Sequence, residues 1–372
     1  MNSLKGKSGT THLPKEFVHG HELCFLLHDY LAQIVVSAEQ QGLLVERMVL
    51  RDDADRAALA SADDVFAWLD ATDRKVERAA VFRRVVAHRL LSDALHFVYE
   101  ALESSRKAKL TVTYALLRKP LQESLFALEA IALDLDVFAR DFVEDVLRLR
   151  SQKFGGAAAH TARIEKLVSE IDGGARFSAQ YLAQLRYDKN AEDGFDGSCN
   201  KATHLITSAD ALRTEPMNLN FIFSDWDAKL SQWRFLYTRL PYLLEYMRCV
   251  VEHIYAEISP TDPAYLADLT ARRNAGIILW STGVSEDYRT EELRVFVEAA
   301  RRDMKRDALA RGSRIPSLRE LERLRTHGAW PGESSLLVRA RHLRYAALAA
   351  VSRRLARRWG ATGASESWQN IR

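Results

Sequence analysis

The chain reads as an all-α protein, a large multi-helix bundle followed by a smaller basic helical region. Two observations predict this. Long stretches, such as residues 73–107, contain neither Gly nor Pro, and only 17 Gly and 8 Pro punctuate all 372 residues. Apolar positions recur mostly at helical spacing. So few turn residues exclude a turn-rich β fold and a Gly-looped α/β enzyme. Hydrophobic residues at 47% and charged residues at 28% are those of a globular chain.

The elements follow in order. Residues 1–13 form a polar, disordered tail, and Pro14 opens a helix that runs to about Gln41 with Phe17, Phe25, Leu26, Ile34 and Val35 as apolar positions. A short helix spans Asp63 to Asp70, its acidic start matching the helix dipole. A long one covers Asp73 to Lys107. The segment Leu110 to Leu133 is apolar nearly all round, which places it at the centre of the bundle. Pro120 inside it removes a backbone donor and crowds the carbonyl of Leu116, predicting a kink or a break. Asp136 to Gln152 is helical and ends before Gly155-Gly156. Shorter helices near Arg163–Ile171 and Ser178–Arg186 lead into a polar loop, Asp188 to Ser198, and an irregular connection at Arg213 to Phe223. Asp227 to Ile258 is a long aromatic helix with Pro241 as its kink. The run Ser259-Pro260-Thr261-Asp262-Pro263 marks a boundary, so the bundle covers 14–258. The basic C-terminal region then carries helices at about 263–280, 288–310, 317–326 and 334–359, before a flexible tail, 360–372.

Several function classes lose support at once. Cys24, Cys199 and Cys249 are too few and too scattered for a disulfide framework or a four-Cys zinc site. No apolar run approaches 18 residues, so no membrane insertion and a cytoplasmic location are expected. His21, Cys24 and His28 share a helix face and could supply three zinc ligands, but Cys24 between Leu23 and Phe25 reads as core. No Gly-rich phosphate loop, G-x-S-x-G, H-E-x-x-H or C-x-x-C is present. No metal or cofactor is expected.

Charge is unevenly placed. Residues 301–372 hold 17 basic and 6 acidic side chains, a net of +11, whereas residues 1–300 sum to −8. Arg outnumbers Lys about three to one, and Arg is the better ligand for phosphate. The last helix combines Leu336, Leu343, Ala347, Val351, Leu355 and Trp359 with Arg339, Arg341, Arg344, Arg353, Arg354, Arg357 and Arg358. It can meet RNA or another acidic partner, or dock against the acidic bundle. A homo-oligomer is also compatible with the sequence.

Two polar constellations stand out in apolar surroundings. Arg89, Asp93, His96 and Glu100 follow one helical stripe, and a buried stripe of this kind must find partners. Arg118, Lys119, Gln122 and Glu123 interrupt the most apolar helix beside Pro120. Arg118 and Glu123 are therefore expected to be buried and paired.

His96-Phe-Val-Tyr-Glu100, Leu116-Leu-Arg-Lys-Pro-Leu-Gln-Glu123 and Cys199-Asn-Lys-Ala-Thr-His204 together resemble the HEPN superfamily, all-helical bacterial RNases and abortive-infection proteins. The resemblance covers roughly residues 80–258. It implies metal-independent RNA cleavage in phage defence or as a toxin, with His204 as general base, Asn200 positioning phosphate and Arg118 supplying the cation. In that family an Arg precedes the polar residue of the motif; here Cys199 stands in its place. The alternative is the same scaffold without catalysis, binding RNA or a protein partner.

Overall fold

Why a chain this charged can pack so much helix is seen in the computed structural model, which describes residues 11–188, 191, 193–203, 225–259 and 261–361, the side chains of 201, 352 and 355–361 excepted. All regular structure among them is helical. The first half comprises α1 (Val18–Gln40), α2 (Asp53–Ser61), α3 (Val65–Ala71), α4 (Lys75–Val81), α5 (Ala87–Arg106), α6 (Leu110–Arg118), α7 (Leu125–Leu133) and α8 (Leu135–Glu144). Then come α9 (Ala157–Glu170), α10 (Ala179–Tyr187), α11 (Phe195–Lys201), α12 (Trp226–Ala256), α13 (Pro263–Ser281), α14 (Glu291–Ala310), α15 (Leu318–His327) and α16 (Ser335–Ala361).

Local chemistry sets many of the starts. Asp52, Asp64, Asp134, Asp225 and Asp262 each accept a backbone N–H of the first helical turn, satisfying donors that the helix itself leaves open. Ser317 and Glu320 form a reciprocal capping box on α15.

Helix α12 is the axis of the molecule. From Phe235 to Val251 every side chain is buried, with α1, α6 and α7 packed around it. Gly20 of α1 makes the close approach possible, since a Cβ there would lie 3.1 Å from Tyr237 and 3.2 Å from Trp280. Pro241 lies inside α12 without breaking it. The carbonyl four residues earlier, that of Tyr237, accepts a hydrogen bond from Trp280 Nε1 at 2.6 Å. An indole thus replaces the backbone donor that proline lacks.

Pro120 is accommodated differently. Residues Lys119–Ser124 form a widened π turn in which Leu125 N–H bonds back to the Pro120 carbonyl. A second such turn, Phe82–Val86, joins α4 to α5. The sequence predicts a kink or break at Pro120; the chain instead absorbs the proline in one loose turn.

Two expectations are corrected. Asp53–Ser61 is a helix not anticipated from the sequence, and the polar stretch expected to be a loop, Asp188 to Ser198, holds the first four residues of α11. The apolar core also continues beyond Pro263. Trp280, Phe296, Leu321 and Trp330 belong to one apolar cluster with Phe17, Tyr114 and Tyr246. The irregular connection expected at 213–223 lies outside the described residues.

Candidate functional site

The residues singled out by sequence converge in part. Arg118 lines a small crevice, about the size of one water, with Gln122, Arg186, Asp196 and Cys199. The crevice lies where the π turn meets α10 and α11. Gln122 Nε2 donates to Asp196 at 2.9 Å. Burial, with Asp196 nearby, pushes the Cys199 thiol well above its ordinary range, which favours the protonated form. Asn200 is half-buried on α11, and its carbonyl accepts from Thr203 N and Oγ1. His204 lies outside the described residues.

Other placements differ from expectation. Arg118 is half-buried, but Glu123, 3.6 Å from it, has a side chain 53% exposed. The pair is a surface one, worth little in free energy. Arg89, His96 and Glu100 are exposed and form no buried network. They do share a face of α5, but it is the outward face. Leu91, Ala94, Leu95, Val98, Ala101 and Leu102 fill the inward one.

The buried polar centre that does exist was missed. Glu129 on α7 is 0% exposed and accepts from Arg163, Arg186 and the Tyr246 hydroxyl, the last at 2.7 Å. Burial alone would raise its carboxyl; the two guanidiniums and the hydroxyl hold it below the usual range. Arg186 also donates through Nε to the Leu121 carbonyl on the π turn, at 2.8 Å. The sequence signal was a lone carboxylate in Leu125-Phe-Ala-Leu-Glu129-Ala-Ile-Ala-Leu133.

A second buried carboxylate, Glu245 of α12, faces three guanidiniums. Arg248 holds it through Nε and Nη2 at 2.8 and 2.9 Å, while Arg273 and Arg176 stand 3.1 and 3.6 Å away. Both centres are internal ion clusters.

Of the histidines near the N-terminus, His21 belongs to the buried core. His21 Nδ1 lies 2.7 Å from the Tyr237 hydroxyl, itself 2.8 Å from Ser105 Oγ. Burial, then Arg106, lowers the His21 pKa to about 4, so the ring is neutral. Cys24 is fully buried. Among the described residues, His19, Glu22 and Glu322 bring three possible ligand atoms within 4.8 Å of one another. Arg325 Nη2 is bonded to both carboxylates, at 2.9 and 2.8 Å, and takes the cation position.

Helix α16 presents its apolar side outward. Leu336 is 76% exposed, Leu343 61% and Val351 53%. The inward side uses Val338, Arg341 and Tyr345. Arg341 reaches Asp268 and Glu333, and the Tyr345 hydroxyl donates to the Ala264 carbonyl. Arg353 bonds Gln40. Arg339, Arg344 and Arg354 are exposed; the side chains of Arg357 and Arg358 lie outside the described residues. At 100° per residue, Leu336, Ala340, Leu343 and Ala347 form a narrow outward seam, with Arg339 and Arg344 on its two flanks.

Neither a family model, nor a curated protein, nor a solved structure matches the chain. Among the described residues no helix is long and apolar enough to cross a membrane.

Proposed function

We propose that the protein is a helical binding module whose C-terminal helix docks an acidic partner protein. One observation carries this reading: α16 turns a Leu-Ala-Leu-Ala seam to solvent between exposed arginines. Over residues 336–347 the outward line itself carries no arginine, and Arg339 and Arg344 stand to either side of it. A narrow apolar seam flanked by one sign of charge fits a second helix of opposite charge. A second α16 is disfavoured as occupant, because the flanking positions would place Arg against Arg.

The test uses the full chain and a synthetic Leu/Glu heptad peptide, with a single-stranded RNA of equal charge alongside. The peptide is expected to bind more tightly than the RNA, to weaken with salt, and to be lost in Leu343→Asp. RNA binding that survives Leu343→Asp but fails in Arg344→Glu would replace this reading with nucleic-acid recognition.

A second reading, metal-independent RNA cleavage, is favoured by Arg118 and Cys199 lining one crevice, five residues before His204. It requires that His204→Ala and Arg118→Ala each remove RNA cleavage while the helical circular dichroism is kept.

A further inference from the structure

A docking helix such as α16 calls for an acidic helical surface with exposed aliphatic side chains, and this molecule carries one. Helix α8 and the turn that follows it, Val146–Leu149, expose Val137, Val143, Val146 and Leu147. Exposed aliphatics are ordinary singly, but four within residues 137–147 form a patch. Residues 134–147 hold five acidic side chains and one basic one, a net of −4. The basic one, Arg140, is paired with Asp141 at 3.4 Å. Glu144 and Asp145, which lie between the aliphatics, share the exposed Arg148. The opposite side of α8 is committed to the core, where Phe138 and Phe142 join Phe66 and Phe82 in one aromatic group. The helix therefore cannot turn its valines inward.

This patch and the α16 seam match in charge and in length. Over residues 335–354, α16 carries five arginines and no acidic side chain. Its seam, residues 336–347, is about 18 Å long, and α8, at ten residues, is about 15 Å long. The same opposition holds between whole regions, with +11 after residue 300 and −8 before it. Both faces are exposed in the same chain, so neither covers the other within one molecule.

We propose, building on the docking reading of α16, that the occupant of its seam is α8 of a second copy of this chain. The contact joins unlike patches, so it is heterologous and builds a ring or a growing chain of copies. Aliphatic side chains supply the burial, while arginines facing carboxylates set the register and make the contact sensitive to salt. Two faces of this length bury less than a standard interface, so the association is weak.

The experiment is sedimentation equilibrium of the full chain from about 5 to about 500 μM, at about 50 and about 500 mM salt. The average mass is expected to rise with concentration at low salt, with association about fivefold weaker at high salt. Leu343→Asp and the double variant Val143→Lys/Val146→Lys should each stay monomeric throughout. All three positions are exposed, and helical circular dichroism verifies that both variants fold. Mixed in equal amounts, the two variants should form a 1:1 pair, because each keeps the face that the other has lost. A chain that stays monomeric, self-association that survives the α8 variant, or a mixture that remains monomeric would each overturn the assignment. If the chain is monomeric while the Leu/Glu peptide binds, α8 is the wrong partner and the docking reading stands; if the peptide fails too, both fall.

Discussion

Helices α12 and α16 are the two longest among the described residues, at 31 and 27 residues, and carry three and seven arginines. The first is buried over most of its length; the second leaves most of its described side chains in solvent. Helix α12 is the more apolar, with Trp233, Phe235, Tyr237, Tyr242 and Tyr246, although α16 also carries Leu336, Leu337, Leu343, Leu348 and Val351. The two differ in counter-charge as well. Helix α12 contains Glu245 and Glu252 about one and three turns from its centre and meets Asp193 through Arg239. Helix α16 contains no acidic residue, and of its described arginines Arg341 is the one that finds carboxylates. A charged helix can enter a core when its charges are cancelled within bonding distance.

The largest expected effect tests this directly. Glu129→Ala leaves Arg163 and Arg186 buried without their anion, and should cost about 3–5 kcal/mol in urea unfolding. A loss below ~1 kcal/mol would mean that α7 and α12 are held by apolar packing alone.

Acid comes next. His21 and His160 have pKa values lowered to about 4, in both cases mainly by burial. The unfolded chain therefore binds more protons between pH 6.5 and 4. Stability is full above pH 6.5 and falls as pH drops through that window, by on the order of 3 kcal/mol per histidine at its lower end. Urea midpoints measured from pH 7 to pH 4 check this, and His21→Phe should flatten the slope.

Removing one hydroxyl is a smaller perturbation. Tyr246→Phe takes a hydrogen bond from Glu129 and should cost ~1–2 kcal/mol, read from the same denaturation curves. The smallest effect belongs to α16. Leu343→Asp should change stability by no more than ~0.5 kcal/mol, whereas Val338→Asp, on the inward side, should cost clearly more. Equal costs at 338 and 343 would remove the distinction between the two faces.

Much of this fold was legible in the residues, and the reasons are local. Long runs without Gly or Pro, and Asp or Ser before apolar runs, specified most helices directly. Helix α11 was not legible because Gly194, Gly197 and polar neighbours hide it, while Phe195 and Cys199 bury it by tertiary contact. The stripe Arg89–His96–Glu100 was read on the right face and assigned the wrong environment. The apolar set at 91, 94, 95, 98 and 102 points away from it and could have decided the matter. Of the candidate site, Arg118 lies close to Cys199, but the ion clusters depend on Arg163, Arg176, Arg186 and Arg273, which reach their carboxylates from other segments. No spacing rule along the chain encodes such pairs.

The loose turn at 119–124 has a consequence for how the chain tolerates change in length. A π turn amounts to one extra residue threaded into an α-helix. Deleting one residue there is taken up by restoring the regular ladder, because five residues of a π turn sweep about the same angle as four of an α-helix. Glu129 then keeps its place opposite Arg163, Arg186 and Tyr246. A deletion inside regular α7 has no such outlet and turns the residues on the far side of the cut by about 100°. The loose turn is therefore slack that lets this helix change length without moving its carboxylate.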